Sequence, residues 1–361
     1  MNFFVKVIHQ AFTLRANSME VFYYNQPFEL EAGGVLQGLT IAYHTYGNLN
    51  ADSSNVVWVC HALTASSNVT EWWPGVTGDG CVIDPARHFI VCANILGSCY
   101  GTSGPLNSNP ETGRPYYSHF PFITIRDMVK AHILLRKHLE IKSIYLLAGG
   151  SMGGYQALEW CLMEKEVIQN LFLLATSATE SPWGIAVHTA QRLAIEADAT
   201  WKDESPHAGR KGLKAARGMG LLTYRNYDIL LQKQRDPDLE KLDNYKASSY
   251  ISYQGDKLVN RFNAYSYWLL TKAMDSHNIA RGRGAEVATV LRSISQQTLI
   301  IGINSDILCP LHEQHLLADN LPNATLAEID SAYGHDGFII EAEKISHHLQ
   351  QWLDNVAKPT V

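Results

Sequence analysis

One stretch constrains this chain more than any other: Ile144-Tyr145-Leu146-Leu147-Ala148-Gly149-Gly150-Ser151-Met152-Gly153-Gly154. An apolar, strand-like run ends in G-x-S-x-G, and a helix-like segment, Tyr155 to Met163, follows. Strand, sharp turn and helix form the setting of a nucleophile elbow. A serine on such a turn leaves no room for flanking side chains, and Gly149 and Gly153 remove the collision. The helix behind it brings backbone N–H groups and a partial positive charge close to the reacting oxygen. A glycine-rich turn carrying an incidental serine is the blander reading; the strand in front and the helix behind favour the nucleophile.

The rest of the chain fits that setting. Short apolar, β-branched runs lie at Val56 to Cys60, Phe89 to Asn94, Ile144 to Ala148, Leu171 to Ala175, Thr298 to Asn304 and Thr325 to Ile329. Continuous apolar strands of this length suit a parallel sheet covered on both faces. Helical patterns at Ile125 to Leu139 and Gly154 to Met163 lie between them. Strand–helix alternation of this kind predicts an α/β, doubly wound fold. The alternation stops between about Ser181 and Arg283, where the pattern is polar and helical. We read residues 1–180 and 284–361 as the α/β core and residues 181–283 as an inserted helical lid over the ends of the strands, where ligands bind in such folds.

A serine hydroxyl is a weak nucleophile and needs a base, which in turn needs an orienting acid. With a nucleophile elbow the chain order is Ser, then Asp or Glu, then His. Asp306 follows the run ending at Asn304, and His335 lies in the Gly334-His335-Asp336-Gly337 turn after the next run. Both fall at predicted carboxyl ends of strands, on the sheet edge that carries Ser151. Helix capping by Asp306 and a turn role for His335 are the plain alternatives. Acyl transfer also needs an oxyanion hole, and the N–H of Met152, after the nucleophile, is one donor. The second is assigned to the backbone of Leu63, in the His61-Ala62-Leu63-Thr64 loop after Val56 to Cys60; His61 reads as a brace for that loop.

Charge and composition exclude several other functions. The 361 residues carry a net charge of −6, against a nucleic-acid binder, which needs a basic excess. No stretch approaches the ~20 apolar residues of a membrane span. The segment Met1 to Glu20 is interrupted by Lys6, His9, Gln10 and Arg15 and lacks a small-residue cleavage site, so it makes a poor signal peptide. None of Cys60, Cys81, Cys92, Cys99, Cys161 and Cys309 has CxxC spacing, and several sit in apolar runs; a reduced, cytoplasmic compartment is the simplest reading. His312-Glu313-Gln314-His315 lacks H-E-x-x-H spacing and reads as helix surface, so no metal site is expected. The basic run Lys202, Arg210, Lys211, Lys214 and Arg217 reads as a solvated lid face, with coenzyme A phosphates as the minor alternative. Trp72, Trp73, Trp160 and Trp183 read as core and lid packing.

Several longer strings closely resemble homoserine O-acetyltransferases. They are Ala42-Tyr43-His44-Thr45-Tyr46-Gly47, His61-Ala62-Leu63-Thr64, Gly149 to Gly154 with Gln156-Ala157-Leu158-Glu159-Trp160, Tyr253-Gln254-Gly255-Asp256-Lys257 and Tyr333-Gly334-His335-Asp336-Gly337-Phe338. The resemblance runs from about Phe28 to the C-terminus. It implies an α/β-hydrolase fold with a mostly parallel sheet and a helical lid, a homodimer formed through that lid, and small-molecule substrates rather than a resident cofactor. The implied reaction moves an acetyl group from acetyl-CoA to the hydroxyl of L-homoserine, in methionine biosynthesis. It further implies that Arg217 and Tyr224 hold the homoserine carboxylate and that Asp336 pairs with its ammonium. The seven-residue separation of Arg217 and Tyr224, nearly two helical turns, puts both on one helix face. Ala65 departs from the family, which commonly has glycine there, and Gly104-Pro105-Leu106-Asn107 replaces a usual serine pair. The triad by itself also suits succinyl transfer, transfer to serine, or an esterase.

Overall fold

The computed structural model describes residues 18–356. The segment read as a poor signal peptide lies almost wholly outside them. Eight strands form one sheet: β1 (Glu20–Tyr24), β2 (Leu39–Tyr46), β3 (Val56–Cys60), β4 (Phe89–Ala93), β5 (Ile144–Gly150), β6 (Ile168–Leu174), β7 (Gln297–Ile303) and β8 (Ala324–Ile329). Their spatial order is β1-β2-β4-β3-β5-β6-β7-β8. From β4 to β8 every pairing is parallel, whereas β2 runs antiparallel to both β1 and β4. All six sequence-predicted strands are present, with ends shifted by up to three residues. The first two were not foreseen. They form the antiparallel margin, where β1 is largely exposed and lacks the continuous apolar run of an interior strand.

The buried runs place a core on each face of the sheet. Trp58, Trp160 and Tyr155 pack on one face, and Trp73, Phe172 and Ile301 on the other. Helix α1 (Ile125–His138) starts at Thr124, whose side chain accepts from the Asp127 N–H while the Asp127 side chain accepts from the Thr124 N–H, a reciprocal cap. Helix α2 (Met152–Met163) follows the elbow and is buried along ten of its residues, Met152 to Cys161. A helix apolar on every side belongs inside a large fold.

Between β6 and β7 the chain forms α3 (Pro182–Glu196), α4 (Arg210–Tyr224), α5 (Tyr227–Gln234), α6 (Lys246–Val259), α7 (Ala264–Asp275) and α8 (Val287–Arg292). Thr179 bridges Asn278, Glu180 N–H donates to the His277 carbonyl and Ile279 N–H to that of Ala178. The insertion therefore leaves the sheet and returns at one pinched neck, which holds a long excursion in register with the core. Just beyond the neck, Arg281 pairs with Glu31 at 2.9 Å and Arg283 with the buried Glu159 at 2.6 Å.

Two surface expectations are corrected or refined. Trp183 packs neither core nor insertion: it is 50% exposed at the first turn of α3. Trp73 and Trp160 are fully buried, and Trp72 is partly buried and stacks on Trp73. His312 and His315 lie on α9 (Leu311–Asn320), paired with Glu313 and Glu328 on the surface. All six cysteines are unpaired. Among the described residues no helix is long and apolar enough to cross a membrane.

Candidate active site

The parallel strands end along one edge, and the site is assembled from the turns that follow them. Ser151, after β5, has φ 53° and ψ −128°. A positive φ is costly for a residue with a Cβ and persists where surroundings impose it. They do so here. Ser151 N–H donates to the Leu174 carbonyl at the end of β6, and Thr176 Oγ donates to the Ser151 carbonyl. A Cβ on Gly149 would lie 2.2 Å from the Gly153 carbonyl oxygen, so the turn closes only with glycine at that position.

Asp306 stands after β7 and His335 in the short turn after β8. His335 Nε2 lies 2.8 Å from Ser151 Oγ, and its Nδ1 lies 2.6 Å from Asp306 Oδ2. The other Asp306 oxygen accepts the N–H groups of Leu308 and Cys309, so the carboxylate cannot rotate away. All three side chains are buried. Burial by itself would depress the His335 pKa, but the charge of Asp306, its hydrogen bond, and the nearby Asp336 and Glu180 outweigh it, and the pKa is raised. An imidazole so placed takes a proton from Ser151 and is stabilised once charged. Asp306, Cys309 and His335 form the one metal-like grouping among the described residues, but two of its members are committed to this chain of hydrogen bonds.

A cavity of about 650 Å³ opens onto Ser151. Its lining includes Leu63, Arg217, Tyr224, His335 and Asp336, so five residues singled out from the sequence meet there together with Ser151. Met152 is buried just beneath the turn as the first residue of α2, and its N–H has no acceptor within the helix. The loop carrying Leu63 is held by His61, whose Nδ1 pairs with the Ala62 carbonyl at 2.9 Å while its Nε2 accepts the Ile95 N–H at 3.2 Å. Both ring nitrogens are used and burial pushes the pKa down to about 4, so His61 is a neutral brace.

Arg217 and Tyr224 do share a face of α4, with the guanidinium 5.6 Å above the Tyr224 ring centre. The Tyr224 ring in turn lies 5.9 Å from that of His335. Of the basic run, only Arg217 lines the cavity; Lys214 pairs with Asp256 on the outer surface of the insertion. Three contributors escaped sequence reasoning. His188 lines the cavity from α3, its Nδ1 held 2.9 Å from Asp275, which also receives Arg192. Glu180 is buried at the neck of the insertion, accepts from the Tyr155 hydroxyl, and has its pKa raised by that burial. Arg225 lies 2.8 Å from Asp336. None belongs to a spaced motif; only the adjacency of Arg225 to Tyr224 offered a signal.

Comparison with known proteins adds the family. Residues 55–342 match the family model described as alpha/beta hydrolase fold. The homoserine O-acetyltransferase of Cyclobacterium marinum is 46% identical over 339 residues, covering 94% of this chain and 96% of that one. The crystal structure of homoserine O-acetyltransferase from Bacillus anthracis superposes with a TM-score of 0.86 at 24% identity, covering 93% of this chain and 97% of the other. Esterase E22 superposes nearly as well, with a TM-score of 0.83 at 21% identity over 93% of this chain and 99% of its own. At such identities the superpositions speak for the fold alone, and the same fold serves transferase and esterase.

Proposed function

The chain belongs to the homoserine O-acetyltransferase family of the α/β hydrolase fold, and from that premise we propose that it transfers an acetyl group from acetyl-CoA to the hydroxyl of L-homoserine through an acyl-enzyme on Ser151. In the first half-reaction Ser151 Oγ attacks the thioester carbon as His335 Nε2 takes the serine proton. The carbonyl oxygen becomes an oxyanion, facing the Leu63 and Met152 N–H groups. The C–S bond then breaks, and coenzyme A leaves as a thiol with the proton from His335. In the second, the homoserine oxygen attacks the acetyl carbon and gives its proton to His335. The ester bond to Ser151 breaks, and Oγ recovers a proton from His335. Asp306 holds the imidazole in the tautomer both steps require. Acetyl-CoA is a co-substrate here; the cycle needs no metal or resident cofactor.

The single observation that carries this reading is the company Ser151 keeps. The cavity lined by Ser151 and His335 is also lined by a cation, Arg217, and a carboxylate, Asp336. That pair suits the carboxylate and ammonium of an amino acid, and a plain esterase substrate needs neither. With the acceptor fixed by both charged ends, its hydroxyl competes against ~55 M water through an effective molarity of ~10⁵–10⁸ M. The test is coenzyme A release from acetyl-CoA and from succinyl-CoA with homoserine, serine or no acceptor. Acetyl-CoA with homoserine should be fastest, with a single burst when acceptor is omitted. Steady release without acceptor at the same rate would make the protein a hydrolase.

The insertion helices leave large apolar side chains exposed, including Leu193 at 60%, Leu222 at 59% and Tyr253 at 62%. These faces support a homodimer formed through the insertion, which sedimentation over a range of protein concentrations tests. Six unpaired thiols suit a reducing, cytoplasmic compartment.

A further inference from the structure

Asp336 does not stand alone in the cavity wall. Arg225, the residue after α4, places its Nε 2.8 Å from Asp336 Oδ2. The N–H does not point along the line between them, so the contact is a charge pair rather than a straight hydrogen bond. Both side chains are mostly buried, at 21% and 15% exposure, where such a pair is screened far less than on the surface. The guanidinium also lies over the Tyr333 ring, 5.8 Å from its centre. Among the described residues no hydrogen-bond donor reaches Asp336 Oδ1, and Asp336 lines the cavity.

The backbone makes this arrangement tight. Gly334 has φ 62°, and a Cβ there would lie 3.0 Å from both the Tyr224 carbonyl oxygen and the Asn226 nitrogen. The end of α4 therefore presses directly on the turn that carries His335 and Asp336. Arg225 sits at that seam, so it joins the insertion to the catalytic turn.

We propose that Arg225 is a positioning residue for the acceptor: it engages one carboxylate oxygen of Asp336 and leaves the other turned to the ammonium of homoserine. The inference rests on the reading of Asp336 as the ammonium contact. Charge supports it. Burial pushes the Asp336 pKa up, which weakens its hold on an ammonium; Arg225, Arg217 and His335 limit that rise without cancelling it, while Asp306 adds to it. Arg225 comes first among the opposing charges; Tyr224 lies beside Asp336, and Glu71, His188, Lys257 and Arg261 line the same cavity. Arg217 has the substrate carboxylate to hold, and His335 changes charge during the reaction. Of these three opposing charges, Arg225 is the one that neither holds the substrate carboxylate nor changes charge in the reaction.

The experiment measures kcat/KM for homoserine and, separately, for acetyl-CoA between about pH 6 and pH 9.5 in Arg225→Gln, Arg225→Lys and Asp336→Asn. Removing the positive charge raises the Asp336 pKa further. The acid limb of the homoserine profile in Arg225→Gln, which reports Asp336 as well as His335, should therefore move to higher pH relative to the limb of the acetyl-CoA profile, which reports His335. A limb displaced by one pH unit is a tenfold loss at a fixed pH on that limb. Most of the loss should be in the KM for homoserine. Arg225→Lys, which keeps the charge, should restore the limb. Asp336→Asn should lose homoserine use at all pH values. If Arg225→Gln lowers both profiles equally without moving either limb, its role is structural and the proposal is overturned. If Asp336→Asn leaves the KM for homoserine unchanged, the reading of Asp336 fails first and takes the proposal with it. Should the glutamine variant fold poorly, Arg225→Met removes the same charge and carries the same test.

Discussion

Gly153 approaches Cys60 so closely that a Cβ on the glycine would lie 2.1 Å from the Cys60 carbonyl oxygen. This contact sets the distance between the end of β3 and the elbow, and hence between the loop carrying Leu63 and the N–H of Met152. Both neighbours are backbone, so neither can swing aside. Gly153→Ala should therefore cost ~1–3 kcal/mol of stability. It should also lower kcat by ~10²–10³, the usual effect of losing one oxyanion donor. Denaturant midpoints and steady-state rates check the two effects. A fully active alanine variant would mean that the two donors are not held by this contact.

Ser151 bears a left-handed φ of 53°. Two substitutions separate chemistry from strain. Ser151→Ala keeps a Cβ and should lose activity by ~10⁴-fold or more with little change in stability. Ser151→Gly should be just as inactive yet more stable than the parent by roughly 1 kcal/mol, because glycine adopts this φ without strain. Thermal melts of the three proteins test the order, and mass spectrometry of the parent with acetyl-CoA should find the acetyl group on Ser151.

The raised pKa of His335 places the acid limb of kcat/KM for acetyl-CoA above 6.5, the ordinary value, because the base must be neutral to accept the serine proton. Asp306→Asn removes the leading charge that opposes the effect of burial. The limb should move to lower pH, and the rate should fall by ~10⁴-fold as the tautomer is lost. The stability linkage has a definite sign: the raised pKa contributes stability present below the unfolded value and lost as pH rises through the folded one. Rate–pH profiles and melts at several pH values measure both.

Three other histidines act in the opposite sense. Burial pushes His61 and His132 down to about 4 and His277 to about 3. The unfolded chain binds protons at these rings below its ordinary value of 6.5, while the folded chain refuses them until near pH 4. Their contribution to stability is present above pH ~6.5 and falls by about 4 kcal/mol per pH unit on the way to pH ~4. Urea midpoints across that window check this. His132→Gln, which removes one of the three rings, should flatten the slope by about a third.

Arg217→Lys keeps the charge but loses the planar, two-pronged grip on a carboxylate. Homoserine use should weaken, while acyl-enzyme formation from acetyl-CoA should barely change. Stopped-flow measurement of each half-reaction decides it. Equal damage to both halves would assign Arg217 to the coenzyme site or to the packing of the insertion.

The parts written in local sequence were legible because local physics decides them. Continuous apolar runs mark the interior strands, and G-x-S-x-G between a strand and a helix marks the elbow, since only glycine tolerates the approach of Gly149 to Gly153. The chain order of Ser151, Asp306 and His335 follows from three turns at one sheet edge. The antiparallel margin was not legible: β1, mostly exposed, has no interior run to announce it. Trp183 was misread because an aromatic residue carries no record of which way its helix faces.

By itself, then, the sequence determined the interior of the sheet, the nucleophile and its two partners, because each depends on neighbours a few residues away or on the order of strand ends. Tertiary structure alone decided what surrounds them. His188 meets Asp275 across 87 residues, and Arg225 meets Asp336 across a seam between the insertion and the catalytic turn. Such pairs form wherever the packing of helices on the sheet brings two distant side chains into one low-dielectric space. No spacing rule encodes them, because their energy arises only when both are buried together.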